Sequence, residues 1–265
     1  MLISVYHGDD AEYFATAMDS LLAQTVPSDD IVLTIDGPLP AALREVVERY
    51  LADNRQLRPI WFAENVGLGA VRAVALPECR HELVMIMDSD DISAPNRAEV
   101  LLAFLAEHPD IDVVSTTLTE FVGAPENIVA VKRVPLKDAE IRKRARRWNP
   151  INHAAAMFRK SAILAVGGYQ DFPRHEDYYL WVRLLMAGYQ AAAIDEPLLN
   201  VRISPENLER RRSAAATNAA IKFHLWKHKV GFAGWFSTAW MIAFMCAIRL
   251  VPGPIYRLVY RLKRH

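Results

Sequence analysis

Three carboxylates follow a short apolar stretch of the chain. Residues 83–87 are all apolar, as in a buried strand, and Asp88, Asp90 and Asp91 follow within four positions. Carboxylates crowded together raise one another's pKa, and a hard divalent cation relieves their repulsion. The pattern therefore predicts a site for Mg²⁺ or Mn²⁺ that also holds a substrate phosphate. The alternative is a solvated acidic turn, with Asp91 or Ser93 capping the helix that follows.

Two further acidic positions have spacing that suggests chemistry. Asp36 ends the apolar stretch at residues 31–35, and Glu176 with Asp177 opens a segment whose leucines repeat at helical spacing. Ligands of open α/β sheets bind beyond the carboxyl ends of the strands, and Asp36 is another carboxylate at such a strand end. The alternative for Glu176 and Asp177 is an ordinary helix N-terminus, where acidic residues interact favourably with the macrodipole.

The order of the predicted elements indicates the fold that carries these side chains. Four apolar stretches at residues 2–6, 31–35, 58–62 and 83–87 alternate with amphipathic helical patterns. This alternation predicts an α/β fold with a mostly parallel central sheet, right-handed crossovers and helices on both faces.

Local signals place other element ends. Asp9 or Asp10 is expected to cap the helix after the first strand. Further strands are expected at residues 111–115 and in the apolar run that ends at Phe158. The pattern loosens after Pro95.

Length and composition indicate a globular protein. The chain has 265 residues, of which 52% are hydrophobic and 23% charged, enough for a sizeable core. We divide it into residues 1–95 and 96–228, expected to be two halves of one domain, and a tail at 229–265. The two cysteines lie far apart and suggest no disulfide framework, which favours a reducing compartment. The first residues resemble a strand rather than a signal peptide.

The tail differs from the rest of the chain in charge. No acidic residue follows Glu209, whereas residues 210–265 contain eleven Lys and Arg. Residues 230–248 are uncharged and would span about 28 Å as one helix, barely the thickness of the hydrocarbon layer. Basic residues on both flanks define no orientation across a bilayer. We therefore expect a helix or helical hairpin lying in the cytoplasmic leaflet, peripheral or monotopic. The alternative is a core or oligomer-interface helix.

The chain resembles the family-two glycosyltransferases, whose fold is called GT-A, and among them the amylovoran-like enzymes of bacterial exopolysaccharide synthesis. The resemblance covers about residues 2–212 and rests on eight segments in the family's order. They are Ser4-Val5-Tyr6, Ser20-Leu21-Leu22-Ala23-Gln24-Thr25, Asp36-Gly37, Asn65-Val66-Gly67-Leu68-Gly69, Met87-Asp88-Ser89-Asp90-Asp91-Ile92, Asn149-Pro150-Ile151-Asn152-His153, Gly167-Gly168-Tyr169 and Glu176-Asp177-Tyr178-Tyr179-Leu180-Trp181-Val182-Arg183.

The resemblance implies a nucleotide-sugar donor site. Asp36 would accept a hydrogen bond from the base, Asp90 would coordinate the Mn²⁺ or Mg²⁺ that bridges the diphosphate, and Asp88 would face the ribose or a metal-bound water. Family members often carry two Asp before the glycine that follows the second strand; this chain has one, which we align with the second. The donor-binding residues implied in this way are Ser4, Tyr6, Asp36, Asn65, Gly67, Asp88, Ser89 and Asp90.

The resemblance also implies a general base. Asp177 would deprotonate the acceptor hydroxyl while Glu176 orients the acceptor, or the two roles are reversed. A single displacement of this kind inverts the anomeric centre. No Gln-x-x-Arg-Trp motif follows, which indicates single addition rather than polymerisation. The acceptor or sugar pocket would include Asn152, His153, Gly168 and Arg211. Arg211 belongs to a basic run that either clamps the diphosphate or forms a solvated face.

The expected activity is transfer of one sugar from a nucleotide-sugar to a lipid-linked or other glycan acceptor at the cytoplasmic face of the inner membrane. UDP is the commonest donor nucleotide of the family. One alternative is a membrane-bound sugar-nucleotide or lipid-binding module without catalysis. A sugar-phosphate nucleotidyltransferase would need a Gly-rich loop after the first strand, where Gly8 stands alone. Nucleic-acid binding is disfavoured because the tail's aromatic residues are not interleaved with its cations.

Overall fold

The computed structural model describes residues 1–203 and 213–251. Strands and helices alternate through the first part, and the four strands are parallel in the order β3-β2-β1-β4. These elements are β1 (Leu2–Tyr6), α1 (Ala11–Leu22), β2 (Ile31–Asp36), α2 (Ala41–Asp53), β3 (Leu57–Trp61), α3 (Leu68–Glu78) and β4 (Leu83–Met87). All six residues of β2 are buried, as expected for a strand covered on both faces. The predicted parallel sheet is confirmed.

The second part extends the same sheet in mixed directions. β8 is antiparallel to β4 and β6, and β9 is parallel to β6. β5 pairs with β9 and β7 pairs with β6, both in the antiparallel direction. The elements are β5 (Ile92–Ser93), α4 (Arg97–Glu107), β6 (Val113–Phe121), β7 (Ile128–Lys132), α5 (Asp138–Ala145), a 3₁₀ turn (His153–Ala155), β8 (Met157–Arg159), α6 (Lys160–Ala165), α7 (Glu176–Met186) and β9 (Ala191–Arg202). One nine-stranded sheet thus crosses the predicted boundary at residue 95.

Apolar layers cover both faces of the sheet, as predicted. On one face α1, α2 and α4 contribute Phe14, Val47 and Leu101. On the other, α3 and α7 contribute Leu76 and Trp181, together with residues from α5 and α6. Burial of these side chains holds the helices against the sheet and fixes the loops at its edge, since apolar burial is the dominant favourable term in folding.

Several predicted boundaries were wrong. The strand expected at residues 111–115 runs from Val113 to Phe121, because its buried Ser and Thr side chains conceal its burial in the sequence. Helix α4 has Asn96 at its N-cap and no side-chain cap. The proposed caps, Asp91 and Ser93, therefore do not serve it, because Asp91 precedes β5 and Ser93 lies in β5. At α1 the cap is Asp10, which accepts the N–H groups of Glu12 and Tyr13.

Two helices form at the C-terminal end of the described residues, so of the two expected forms, a helix or a helical hairpin, the chain adopts a hairpin. α8 (Ala214–Lys229) and α9 (Trp235–Leu250) are joined by a turn in which Gly231 has φ +77°. The uncharged run at 230–248 is thus divided between a turn and a helix. In the described ranges, no helix has both the length and the apolar character needed to cross a bilayer. Placement of this hairpin in a membrane leaflet stays a prediction, and residues 252–265 lie outside the described residues.

Candidate functional site

Three carboxylates meet where β1 and β4 end. The two strands are parallel neighbours, so Asp9, Asp88 and Asp90 follow adjacent strand ends. Asp9 accepts hydrogen bonds from Ser89 Oγ at 2.8 Å and from the Tyr6 N–H at 3.0 Å. Burial raises the pKa of Asp90 to about 6, and the charges of Asp88 and Asp9 add to that effect. Like charges therefore meet at this edge of the sheet, and they disfavour the ionised form of Asp90.

Asp9 is the site residue that sequence reasoning missed. Two consecutive Asp residues follow β1, and both were considered only as helix caps. Asp10 is the cap, while Asp9 turns towards Ser89 and the acidic cluster. Burial raises the pKa of Asp9 to about 6 as well. One helix needs only one capping residue, so the second acidic residue after β1 was the signal in the sequence.

Asp88 is held by a buried arginine. Arg72 lies on α3 and donates Nη2 to Asp88 Oδ1 at 2.7 Å; the arginine side chain is 4% exposed and the Asp88 side chain 43% exposed. A carboxylate fixed from within and open to solvent on its other side is arranged to meet a polar ligand. Arg72 was also missed, because a single arginine in a helix is usually a surface residue.

The residues present fit a divalent cation only together with a substrate. Among the described residues, no three His, Cys, Asp or Glu side chains stand ready to ligate a metal ion. Mg²⁺ and its substitutes, however, are usually bound by one or two carboxylates plus substrate phosphates. Asp88 and Asp90 can supply those two carboxylates, and the charges of Asp88 and Asp9 act on Asp90. The predicted Mn²⁺ or Mg²⁺ stays a prediction.

Asp91 has a structural role and does not lie on the solvent-exposed side of the acidic cluster. It is buried and accepts the backbone N–H of Arg202 at 3.1 Å, which ties the acidic turn to β9. Burial raises its pKa well above the usual value, with Asp90 and Asp88 contributing. Arg97 lies beneath and donates Nη2 to the carbonyl oxygens of Ile86 and Ala154.

The raised carboxylate pKa values predict how stability depends on pH. A pKa of about 6 for Asp90, against its ordinary 3.8, means that the folded state binds protons more tightly than the unfolded state. Stability without ligands should therefore fall as pH rises from about 4 to 6, and stay lower above. We expect Asp90→Asn to raise the free energy of unfolding by about 1–2 kcal/mol at pH 7.5 and little at pH 4.5. Urea denaturation at both pH values measures this. A destabilised variant at pH 7.5 would contradict it.

Asp36 organises a loop at the end of β2. Its carboxylate accepts the N–H groups of Val66 at 2.7 Å and Gly67 at 2.9 Å, and Asn65 Nδ2 at 3.1 Å. Gly37 has φ +84°, and a Cβ there would come 2.7 Å from the Asn65 nitrogen, so the two loops touch backbone to backbone. The fold thus brings Asp36, Asn65 and Gly67 together. Asp36 is buried, and its bond to a base stays a prediction.

The remaining predicted donor residues line the same edge. Tyr6 is the register partner of Asp36, since β1 and β2 run side by side. Ser4 lies one pleat earlier on β1 and is buried; its Oγ has no hydrogen-bond partner within the part of the chain that the structure describes. β1 lies between β2 and β4 in the sheet. Asp36 and the acidic cluster therefore lie on opposite sides of β1.

The acidic pair at the start of α7 lies next to this edge. A Cβ on Gly69, in the first turn of α3, would come 3.4 Å from the Glu176 Cβ. Burial raises the pKa of Glu176, and the charge of Asp177 adds to this. Asp177 accepts Asn149 Nδ2 at 2.7 Å. The pair therefore faces the donor residues across the N-terminus of α3, while a separate loop orients Asp177.

The predicted pocket residues that the structure describes make hydrogen bonds within the fold. His153 is buried, its Nε2 lies 2.9 Å from the Tyr169 hydroxyl, and burial lowers its pKa well below the usual value, so it is neutral. Asn152 donates to the Thr116 carbonyl at 2.9 Å, and Gly168 accepts Arg183 Nη2 at 2.6 Å. Arg211 lies outside the described residues.

A mixed α/β sheet with carboxylates at its strand ends defines a GT-A-like fold, and known structures share it. A mannosyltransferase from Pyrobaculum calidifontis in complex with GDP-Man and Mn²⁺ superposes with a TM-score of 0.68 at 16% identity, over 98% of this chain and 77% of that one. Residues 1–349 of S. aureus TarS with UDP-GlcNAc give 0.60 at 17% identity, over 84% and 64%.

Sequence comparison then identifies the family. The glycosyl transferase family 2 model matches residues 1–166, so this chain belongs to that family and is a transferase. It is 30% identical to the amylovoran biosynthesis glycosyltransferase AmsE of Erwinia amylovora, over 100% of this chain and 98% of the relative. It is also 30% identical to a UDP-Gal:alpha-D-GlcNAc-diphosphoundecaprenol beta-1,3-galactosyltransferase of Escherichia coli, over 98% and 96%. The predicted family is confirmed, and so is the predicted similarity to its amylovoran-type enzymes.

Proposed function

We propose that this protein is an inverting, metal-dependent glycosyltransferase that moves one sugar from a UDP-sugar to a lipid-linked glycan in bacterial surface polysaccharide synthesis. The observation that carries the proposal is the position of Arg72. It bonds Asp88 in the donor cluster, and its charge acts on Glu176 of the acidic pair. The donor carboxylates and the acidic pair that contains the candidate base are therefore close together, and a direct displacement between two bound substrates requires such proximity.

Each part of the site has a role in this proposal. The backbone of the loop held by Asp36 contacts the nucleotide base of the donor. Asp88 and Asp90 lie at the ribose and the diphosphate. A cation bound there would act as a Lewis acid towards the charge that develops on the leaving diphosphate. Asp177, oriented by Asn149, takes the proton of the acceptor hydroxyl as its oxygen attacks the anomeric carbon. The bond to the diphosphate breaks on the opposite face, so the configuration inverts.

The substrates proposed follow from full-length relatives. The relative named for transfer to a GlcNAc-diphosphoundecaprenol matches nearly the whole of this chain, which supports a UDP donor and a lipid diphosphate acceptor. The AmsE relative supports a role in exopolysaccharide synthesis. An acceptor with a polyprenyl chain resides in the membrane, which makes a membrane-facing surface necessary.

Helix α9 supplies such a surface. Trp235, Phe236 and Trp240 have 57%, 90% and 50% of their surface exposed. Exposed aromatic side chains beside basic residues are typical of helices that lie in the membrane interface. We therefore place the protein at the cytoplasmic face of the inner membrane as a peripheral or monotopic protein.

Changing these aromatic side chains should release the protein from lipid. We expect the triple variant Trp235→Ser, Phe236→Ser, Trp240→Ser to bind vesicles containing anionic lipid at least about tenfold more weakly, because apolar area no longer enters the interface. Sedimentation with vesicles measures this. Trp61→Ser is the control, since Trp61 is 47% exposed and lies on β3, an edge strand of the sheet. Equal sedimentation of both variants and the unchanged protein would contradict the assignment.

The proposed activity is tested by a transfer assay. Purified protein is incubated with Mn²⁺, a synthetic lipid diphosphate that carries one sugar, and UDP-Gal, UDP-Glc or UDP-GlcNAc in turn. We expect one donor to give a disaccharide lipid whose new linkage is β from an α-linked donor, measured by NMR. An α product would refute inversion. Nucleotide binding without transfer from any donor would favour the alternative, a sugar-nucleotide or lipid-binding module without catalysis.

A further inference from the structure

Lys227 on α8 is a buried cation without a carboxylate partner. The residue is 0% exposed, and no ion pair to it is formed in the described ranges. Its Nζ donates to the Tyr178 hydroxyl at 2.7 Å and to the carbonyl oxygens of Arg146 and Ala145 at 3.0 and 3.3 Å. The Tyr178 and Phe223 rings lie 4.5 and 5.2 Å from it. The three protons of the ammonium thus meet three acceptors.

This arrangement is costly for the fold. Burial lowers the pKa of Lys227 to about 7, because the charged form loses its hydration. Apolar residues of similar volume often replace buried charged groups without loss of stability. A position that only filled space between α8 and α7 would be served as well by methionine. The lysine therefore has a use that depends on its hydrogen bonds.

The segment that Lys227 holds leads directly to the acidic pair. We call residues 146–149 the strap. Its first carbonyl accepts Lys227 Nζ, and its last residue, Asn149, donates Nδ2 to Asp177 Oδ2 at 2.7 Å. Tyr178, which follows Asp177 in α7, donates its hydroxyl to the Ala145 carbonyl at 2.6 Å and accepts from Lys227. The ammonium thus bonds to both segments that carry the Asn149–Asp177 pair, at Arg146 in the strap and at Tyr178 in α7.

Helix α9 contacts the middle of the strap. The Arg147 guanidinium lies 5.5 Å from the Trp240 ring centroid, and its Nε is 3.4 Å from Ser237 Oγ. Trp148 packs edge-on against Phe244, with 5.3 Å between the ring centroids. Both C-terminal helices therefore hold the strap, α8 at its first residue and α9 along its centre.

We propose that Lys227 is a positioning residue that sets the geometry of Asp177 through the strap and Asn149, so that the C-terminal helices belong to the acceptor side of the catalytic body. The inference rests on the proposed function for its kinetic consequence. Lys227 touches no reacting group; it acts through Asn149 and Tyr178. The donor residues at β1, β2 and β4 lie on other elements and do not depend on it.

The test compares Lys227→Met with Lys229→Met in the full chain. Lys229 is an exposed lysine on the same helix and serves as the matched control. We expect Lys227→Met to lower kcat for sugar transfer at least about tenfold, because small displacements of a catalytic group are costly. The Kd for UDP should stay within about twofold of the unchanged value, since that site is separate. Unchanged kcat, or a parallel loss of UDP affinity, would overturn the proposal.

A double-mutant cycle identifies the route. If Lys227 acts through Asn149, the double variant Lys227→Met, Asn149→Ala should be as active as the less active of the two single variants. Multiplying losses would overturn this route. If Lys227→Met fails to fold, Tyr178→Phe removes one of the three acceptors and keeps the ring; it should lower kcat in the same direction by a smaller factor, and full activity would overturn the proposal.

A readout without turnover separates this inference from the proposed function. Amide hydrogen exchange should be faster in Lys227→Met than in Lys229→Met for residues 146–149 and 176–180, and unchanged in β1 and β4. Absence of transfer by the unchanged protein would refute the proposed function while leaving this comparison valid. Identical exchange in the two variants would refute the positioning role even in an active enzyme.

Discussion

Asp90→Asn should abolish sugar transfer while leaving the protein folded and more stable than before. The substitution keeps the shape of the side chain and removes the carboxylate proposed to meet the donor diphosphate. The loss of the charged ligand should lower kcat/KM with Mn²⁺ by about a thousandfold or more, which corresponds to about 4 kcal/mol of transition-state stabilisation. Initial rates at saturating Mn²⁺ measure this, and circular dichroism checks the fold.

The stability of the same variant makes this prediction specific. Burial and the charges of Asp88 and Asp9 act against the ionised form of Asp90, so its removal relieves repulsion in the ligand-free protein. A group that costs stability and contributes to activity is typical of a functional site. Asp110→Asn is the matched control, because Asp110 is exposed between α4 and β6. Normal turnover by Asp90→Asn at saturating metal would remove Asp90 from the site.

Asp177→Asn should lower kcat without weakening donor binding. An amide cannot accept the proton of the acceptor hydroxyl, and a general base contributes roughly a hundred- to ten-thousandfold in rate. The amide oxygen can still accept Asn149 Nδ2, so the loop should stay in place. We expect kcat to fall about a thousandfold, with the Kd for UDP unchanged. Single-turnover rates and isothermal titration measure the two quantities.

Glu176→Gln is the companion variant that settles the roles within the pair. With Asp177 as the base, Glu176→Gln should raise KM for the acceptor and lower kcat by a smaller factor, because Glu176 orients the acceptor. The opposite ranking of the two variants would reverse the assignment. Equal and small losses in both would exclude the pair from catalysis and leave it as the acidic first turn of α7.

The sequence was sufficient to predict the strand ends that carry the site. Asp36 and the residues after β4 follow strongly apolar stretches, and parallel strands bring their carboxyl ends to one edge. The start of α7 was predictable in the same way, from Glu176 and Asp177 before leucines at helical spacing. Such features are local, so a single sequence reveals them.

Contacts between distant segments were not predictable. Arg72 and Lys227 resemble ordinary surface residues of helices, and only the packing of α3 and α8 buries them beside Asp88 and Tyr178. Asp9 and Asp91 do not have the roles that the sequence suggested. Asp9 joins the cluster, while Asp91 turns inward to the Arg202 N–H because β9 closes on the acidic turn.

Composition left the helix bounds of the tail open between one helix and a helical hairpin. Its uncharged run has the length of one membrane helix, yet the chain turns before Trp235 and a second helix begins there. Gly231 and Gly234 were visible in the sequence and are compatible with the hairpin. Lys227 bonds to the Arg146 carbonyl, so the helix that precedes the predicted tail packs against the folded body.

Isothermal titration of the purified protein with UDP, GDP and dTDP, with and without Mn²⁺, tests the central claim most directly. The claim is that the strand-end carboxylates form a nucleotide-sugar site completed by a divalent cation. The proposed site predicts that UDP binds with a Kd at least about tenfold lower in Mn²⁺ than without it, and that Asp90→Asn loses this difference. No binding of any nucleotide in either condition would make the cluster an ordinary acidic turn and contradict the claim.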